Sequence, residues 1–97
     1  MKIIWENEAY LDLNEAIAFI SAKSPQNAIM VLDGLIELAE SLTIFPDKYP
    51  VEPIFNQPNI RFVTKFNHKL IYQVEKDSII ILRIFPGKMN PDNLINH

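Results

Sequence analysis

The side chains in this sequence that could do chemistry are few, and most are cationic. Arg61, Lys65, Lys69, Arg83 and Lys88 fall among β-branched and aromatic residues, as in "NIRFVTKF" and "ILRIFPGKMNP". Guanidinium and ammonium groups spaced in this way can receive carboxylates or phosphates. His68 could exchange a proton near neutral pH and Tyr72 supplies a phenol, although a histidine between two strands is more often a solvated turn residue, and a tyrosine in an apolar run a core residue. Other chemistry is bounded by what is missing. Cysteine is absent, which removes disulfides, Fe–S ligation and zinc ribbons and agrees with a reducing cytosol. His68 and His97 are the only histidines and form no His-Glu-x-x-His pair, so no metal is expected. With Gly34 and Gly87 as the only glycines, a P-loop or Rossmann turn is excluded and no cofactor is expected.

The elements that must position these groups follow from hydrophobic spacing. The 97 residues, 48% of them apolar, suit one domain over 1–97 with a single core. "KIIW" reads as a first strand. Residues 7–22 then change to helical spacing, with Ala9, Leu13, Ala16, Ile17 and Ile20 on one stripe and Glu6, Glu8 and Asp12 near the start, where the helix dipole favours negative charge. Ser24 followed by Pro25 is a strong helix start. Ala28, Leu32, Leu35, Ala39 and Leu42 continue that second helix. Ile29, Val31, Ile36 and Leu38 widen its apolar stripe beyond what one neighbour covers, so it must be buried on two sides or by a partner. Gly34 costs about 1 kcal/mol relative to alanine in mid-helix, which close approach of another element would explain. The short connection predicts an antiparallel helical hairpin.

Residues 45–58 hold Pro46, Pro50, Pro53 and Pro58 and form a connecting loop, with an extended piece around 51–55. "NIRFVTKF", "KLIYQVE" and "SIIILRIF" follow as strands, and the short separators Asn67-His68 and Lys76-Asp77 predict hairpins. The fold class is therefore α+β in the order β-α-α-β-β-β, with the helical hairpin on one face of a mainly antiparallel sheet. The period of two groups Ile60, Phe62, Thr64 and Phe66 against Arg61, Val63 and Lys65, and Leu70, Tyr72 and Val74 against Lys69, Ile71, Gln73 and Glu75. In the last strand Ile80, Leu82 and Ile84 oppose Ile79, Ile81, Arg83 and Phe85. That strand is apolar on both faces, which predicts an interior position. If the helices cover the apolar face, Arg61, Lys65, Lys69 and Arg83 share the open one.

Charge is unevenly distributed. Residues 1–59 hold three Lys/Arg against nine Asp/Glu, and residues 60–97 six against three, so one part is −6 and the other +3. A basic face could meet an anion or an acidic partner, and a solvated mixture of charges is the alternative. The start "MKIIWENEAYLDL" is neither a signal peptide nor a membrane span, so the expected location is cytoplasmic, with no membrane partner.

The order of strand, helical hairpin and meander, with "W5…A9…L13…I17…I20", "S24-P25…A28…L35…L42…P46", "I60-R61-F62", "L70-I71-Y72-Q73-V74" and "I80-I81-L82-R83-I84-F85", resembles the RelE/ParE superfamily of type II toxin–antitoxin toxins over nearly the whole chain. The long helical hairpin and the "ILRI" strand look more like its ParE and plasmid-stabilisation branch. That resemblance implies a growth-arresting toxin neutralised by a cognate antitoxin whose extended or helical segment wraps it, as a homodimer or a heterotetramer with the antitoxin. ParE-like members inhibit DNA gyrase by binding. RelE-like members cleave mRNA on the ribosome.

Cleavage through the RNA 2′-hydroxyl needs a base, an acid and cations around the phosphate, and RelE-like ribonucleases usually carry an Arg and a Tyr or His in the C-terminal segment. Here "GKMNPDNLI" has Lys88 but neither arginine nor aromatic. The expectation is therefore a binder, with no catalytic residues assigned and with Arg61, Lys65, Arg83 and Lys88 as contacts for antitoxin or target. The mRNA endoribonuclease, and a degenerate non-toxic member, are the alternatives. Arg83 could instead pair internally with Glu75, and Arg61 could be a structural cation beside the acidic helices. Trp5 and Phe85 are expected in the core, with coverage by an antitoxin as their other reading.

Overall fold

The computed structural model describes residues 1–86; Lys88 and His97 lie outside them. Chain order is β1 (Lys2–Trp5), α1 (Asn7–Lys23), α2 (Pro25–Ser41), β2 (Ile60–Lys65), β3 (His68–Val74) and β4 (Ser78–Pro86). The sheet runs β1-β4-β3-β2, with β1 parallel to β4 and the other two pairings antiparallel. The α+β reading and the interior place of β4 both hold. No helix among the described residues is long and apolar enough to cross a membrane.

The helical hairpin turns on Ser24. Its carbonyl carries on as the first acceptor of α2, its hydroxyl accepts from the Asn27 amide at 3.2 Å, and Pro25 opens the helix where its missing N–H costs nothing. Ala9 and Leu13 of α1 and Val31, Leu35, Leu38 and Ala39 of α2 are buried in one cluster with Leu70, Tyr72, Ile79, Ile81 and Ile84 of the sheet. Burial of such side chains contributes about 1.5–3 kcal/mol each, which makes this layer the main source of stability. Among the described residues nothing covers the outer side of α2, where Ile29 and Met30 are more than half exposed.

The sheet departs from the expected faces in two places. The β2–β3 turn is made by Phe66 and Asn67, at φ 53 and 63, not by Asn67 and His68. Two left-handed residues in succession make a type I′ turn, whose twist suits a hairpin. Lys65 then lies opposite His68, and Arg61 opposite Tyr72, so Arg61, Val63 and Lys65 belong to the helix-covered side and Ile60 and Phe62 to the other. In β4, Tyr72 pairs with Ile81 but Ile71 pairs with Arg83, making Leu82 the extra residue of a β-bulge. Ile79 and Ile81 enter the core at a spacing of two, and after the bulge Ile84, not Phe85, is the next to do so. Arg83 is thereby separated from the face of Ile79 and Ile81.

The proline-rich connection is built onto the sheet. Glu52 and Phe62 donate their amides to Ile60 and Pro50 at 2.9 and 3.1 Å, and Val51 bridges Arg61. This extended piece extends the sheet beyond β2.

Candidate functional site

Arg61, Lys65, Lys69 and Arg83, expected to share one open face, do not do so. Arg61 donates from Nη1 to the carbonyls of Tyr49 at 2.7 Å and Asp47 at 3.3 Å, and its Nε lies 3.6 Å from the Asp47 carboxylate without a hydrogen bond. It ties the 46–49 segment over Tyr72, whose hydroxyl donates to the Pro46 carbonyl at 2.8 Å. Burial pushes the Tyr72 phenol up to about 12, despite the nearby Arg61 cation. The internal reading of Arg61 thus holds with a different partner: the loop carbonyls, not the helices.

Lys69, on the opposite face, donates to Glu52 at 2.6 Å and stacks 4.6 Å from the Phe62 ring centroid. Glu52 is only 1% exposed and also accepts from the amides of Ile54 and Phe55 at 2.8 and 3.0 Å. Its burial would raise the carboxyl, but the Lys69 hydrogen bond and the two amides outweigh that cost and hold it below the ordinary value. Lys65 is exposed and lies over the Phe66 ring, 5.2 Å from its centroid.

Arg83 pairs with Asp12 of α1 and not with Glu75, whose carboxylate accepts instead from Gln73 and Asn59. The pair is bidentate, Nε to Oδ2 at 2.8 Å and Nη2 to Oδ1 at 3.1 Å. Asp12 Oδ2 also accepts the Ile84 amide at 2.9 Å. The backbone explains that last contact: β1 ends at Trp5, so the second half of β4 has no strand on that side, and a helix carboxylate satisfies the freed N–H. The Asp12 hydrogen bond raises the Arg83 guanidinium above its ordinary range, and the group lies 4.6 Å from the Phe85 ring centroid.

This Asp12–Arg83 clasp stands in the wall of a groove of about 850 Å³ between the helical hairpin and the far end of the sheet. Ala16, Phe19 and Ile20 line it from α1, Met30 and Val31 from α2, Phe66, Asn67 and His68 from the β2–β3 hairpin, and Phe85 and Pro86 from β4. The surface is mostly apolar, and Phe19 is 68% and Met30 55% exposed. Large apolar side chains so exposed around one concavity mark a place where a partner's apolar residues can be buried. Among the described residues the polar side chains at the groove are few and include Glu15, the clasped pair, and His68, whose Nδ1 lies 2.8 Å from the Phe66 carbonyl. Nδ1 is therefore the donor and carries the ring proton.

Of the candidate contacts named from sequence, Arg83 lies in this groove, Arg61 is committed to the loop carbonyls, Lys65 is exposed and not part of the lining, and Lys88 lies outside the described residues. Tyr72 is sealed in the core, as expected. The groove residues that sequence reasoning passed over are Asp12, Phe19, Met30 and Phe66. In the sequence the helix dipole alone explains Asp12, and Phe19 falls outside the apolar stripe of α1, which is the available signal that it faces something else.

A model of the ParE toxin of type II toxin–antitoxin systems, parDE, matches residues 3–91. Among solved structures, the chain is similar to one titled "Chromosomal ParDE TA system from P. aeruginosa", with a TM-score of 0.71 and 21% identity over 89% of this chain and 95% of that one. No curated protein matches in sequence.

Proposed function

Because the chain belongs to the ParE toxin family of type II toxin–antitoxin systems, we propose that it acts by binding and that its cognate antitoxin neutralises it by laying an apolar segment into the groove between the helical hairpin and the end of β4. The observation that carries this reading is the exposure of Phe19 and Met30 around one concavity. Among the described residues nothing covers these side chains, and a covering segment would gain their burial energy. The exposed outer residues of α2 extend the surface available to such a partner.

Arg83 and Lys65 remain candidate contacts, and Lys88 with them. Arg83 still has N–H groups beyond those that Asp12 uses, so a partner carboxylate can join the clasp without breaking it. Arg61 is better understood as scaffold, because its guanidinium is occupied by the loop carbonyls. The cellular target in this reading is DNA gyrase, reached by protein–protein contact. The ribonuclease alternative draws less support. The Tyr72 hydroxyl is held by Pro46 inside the core, and Arg61 and Arg83 are each engaged internally.

Co-purification with the cognate antitoxin tests the groove. Phe19→Arg should leave the toxin folded and lower antitoxin affinity about a hundred-fold, the scale of losing an interface anchor; unchanged affinity would remove the groove from the interface. A supercoiling assay with purified gyrase tests the target separately, and full supercoiling at excess toxin would show that the target is another.

A further inference from the structure

The β2–β3 turn carries a residue that its conformation disfavours. Type I′ turns prefer asparagine or glycine at both central positions. Asn67 meets that preference, but Phe66 sits at φ 53, in the left-handed region where a bulky side chain is strained. Across from it, α2 carries a residue that helices disfavour, Gly34 in the middle of Pro25–Ser41. These two irregularities meet. A methyl group at Gly34 would stand 2.6 Å from Cζ of Phe66 and closer still to Cε2, so the glycine is a notch that the ring fills. The same ring, with Asn67 and His68, lines the groove.

We propose that Phe66, seated in the Gly34 notch, is the positioning residue of the groove: it fixes the distance of the hairpin tip from α2 and so sets the width open to the antitoxin segment. This rests on the reading that the groove receives that segment. With glycine in place of Phe66 the turn would relax, but its tip would lose its apolar anchor on α2. The seated ring holds the tip in one place. A partner then meets a wall already ordered, and the cost of ordering it does not weaken binding.

The test is a calorimetric titration of the purified toxin with its cognate antitoxin, using Gly34→Ala, Phe66→Leu, the double variant and Phe19→Arg. Alanine is the better helix former, so Gly34→Ala should keep the native circular dichroism while its methyl evicts the ring, and affinity should fall about ten-fold or more. Leucine has no atoms where Cε2 and Cζ stood, so the added methyl refills the notch in the double variant, and affinity should return to within about three-fold of the unaltered protein. Reciprocal rescue of affinity is not what a general loss of stability would produce.

Native affinity in a folded Gly34→Ala chain overturns the proposal, and so does a double variant that stays as weak as Gly34→Ala. Should Gly34→Ala fail to fold, the double variant decides alone, recovery supporting the notch and weak binding overturning it. Phe19→Arg separates the two ideas. If it abolishes binding while Gly34→Ala does not, the groove stands and the positioning role falls; if neither variant changes affinity, both fall.

Discussion

At one end of the sheet, Arg61 and Tyr72 are closed over by the chain's own 46–49 segment; at the other, the Asp12–Arg83 clasp stands in a groove walled by Phe19, Met30 and Phe85. Both ends put an arginine beside apolar strands, and both satisfy it internally, yet among the described residues only the first end is sealed. The closed end uses its polar groups to fasten a proline-rich loop, so Tyr72 is fully buried and its phenol resists ionisation up to about 12. The groove end uses its ion pair to fix a β-bulge against α1 and leaves its apolar side chains exposed. The contrast separates stability from recognition: an internal ion pair is compatible with either, and the state of the aromatic residues around it distinguishes them.

Substitutions at the two ends should therefore fail in different ways. Tyr72→Ala at the closed end should cost about 3–5 kcal/mol, as for other large aromatics removed from cores, a sizeable part of a typical domain's 5–15 kcal/mol. Chemical denaturation would measure it, and binding should fall only in step with the folded fraction. Phe19→Arg at the groove should do the reverse. With the side chain already 68% exposed, stability should move by no more than about 0.5 kcal/mol, while antitoxin affinity falls about a hundred-fold. A Phe19→Arg protein that unfolded easily would erase the distinction. Milder still, an ultraviolet titration should show one of the three tyrosines ionising late, near 12, and Tyr72→Phe should remove that late phase.

The sequence exposed the closed architecture better than the groove. Ser24-Pro25 announced the hairpin, the doubly apolar β4 announced its interior position, and Gly34 signalled a close approach that proved to be the Phe66 ring. What could not be read was local register. From Ile79 to Ile84 every residue except Arg83 is apolar, so no alternation marks Leu82 as the extra one, and the side on which Arg83 falls depends on that bulge. Asp12 lies 71 residues from Arg83, beyond any local pattern, whereas Glu75 is the carboxylate nearer in sequence, just past the end of β3. The turn was misplaced by one residue because phenylalanine carries none of the usual turn signals. Of the four cations expected on one open face, Arg61, Lys69 and Arg83 each take a separate internal partner, and Lys65 is exposed over the Phe66 ring.

Glu52 offers the subtlest probe, on the sheet face opposite to Tyr72, because its role depends on pH. The folded carboxyl is held below its ordinary value of 4.5 by Lys69 and by the Phe55 and Ile54 amides, against the opposing effect of burial. The unfolded chain consequently takes up this proton at a higher pH than the folded one. The stabilisation is complete above about pH 4.5 and is lost as pH falls through the lower folded value. Glu52→Gln should cost on the order of 1–3 kcal/mol at neutral pH, since glutamine can still accept the two amides but offers Lys69 no charge. In acid, where the native carboxyl is protonated as well, the two proteins should converge. Denaturation midpoints compared from pH 7 down to 3 would reveal this, and a gap that stayed constant would place the effect in packing. Antitoxin affinity at neutral pH should be the same for both, because the carboxylate is buried and does not line the groove.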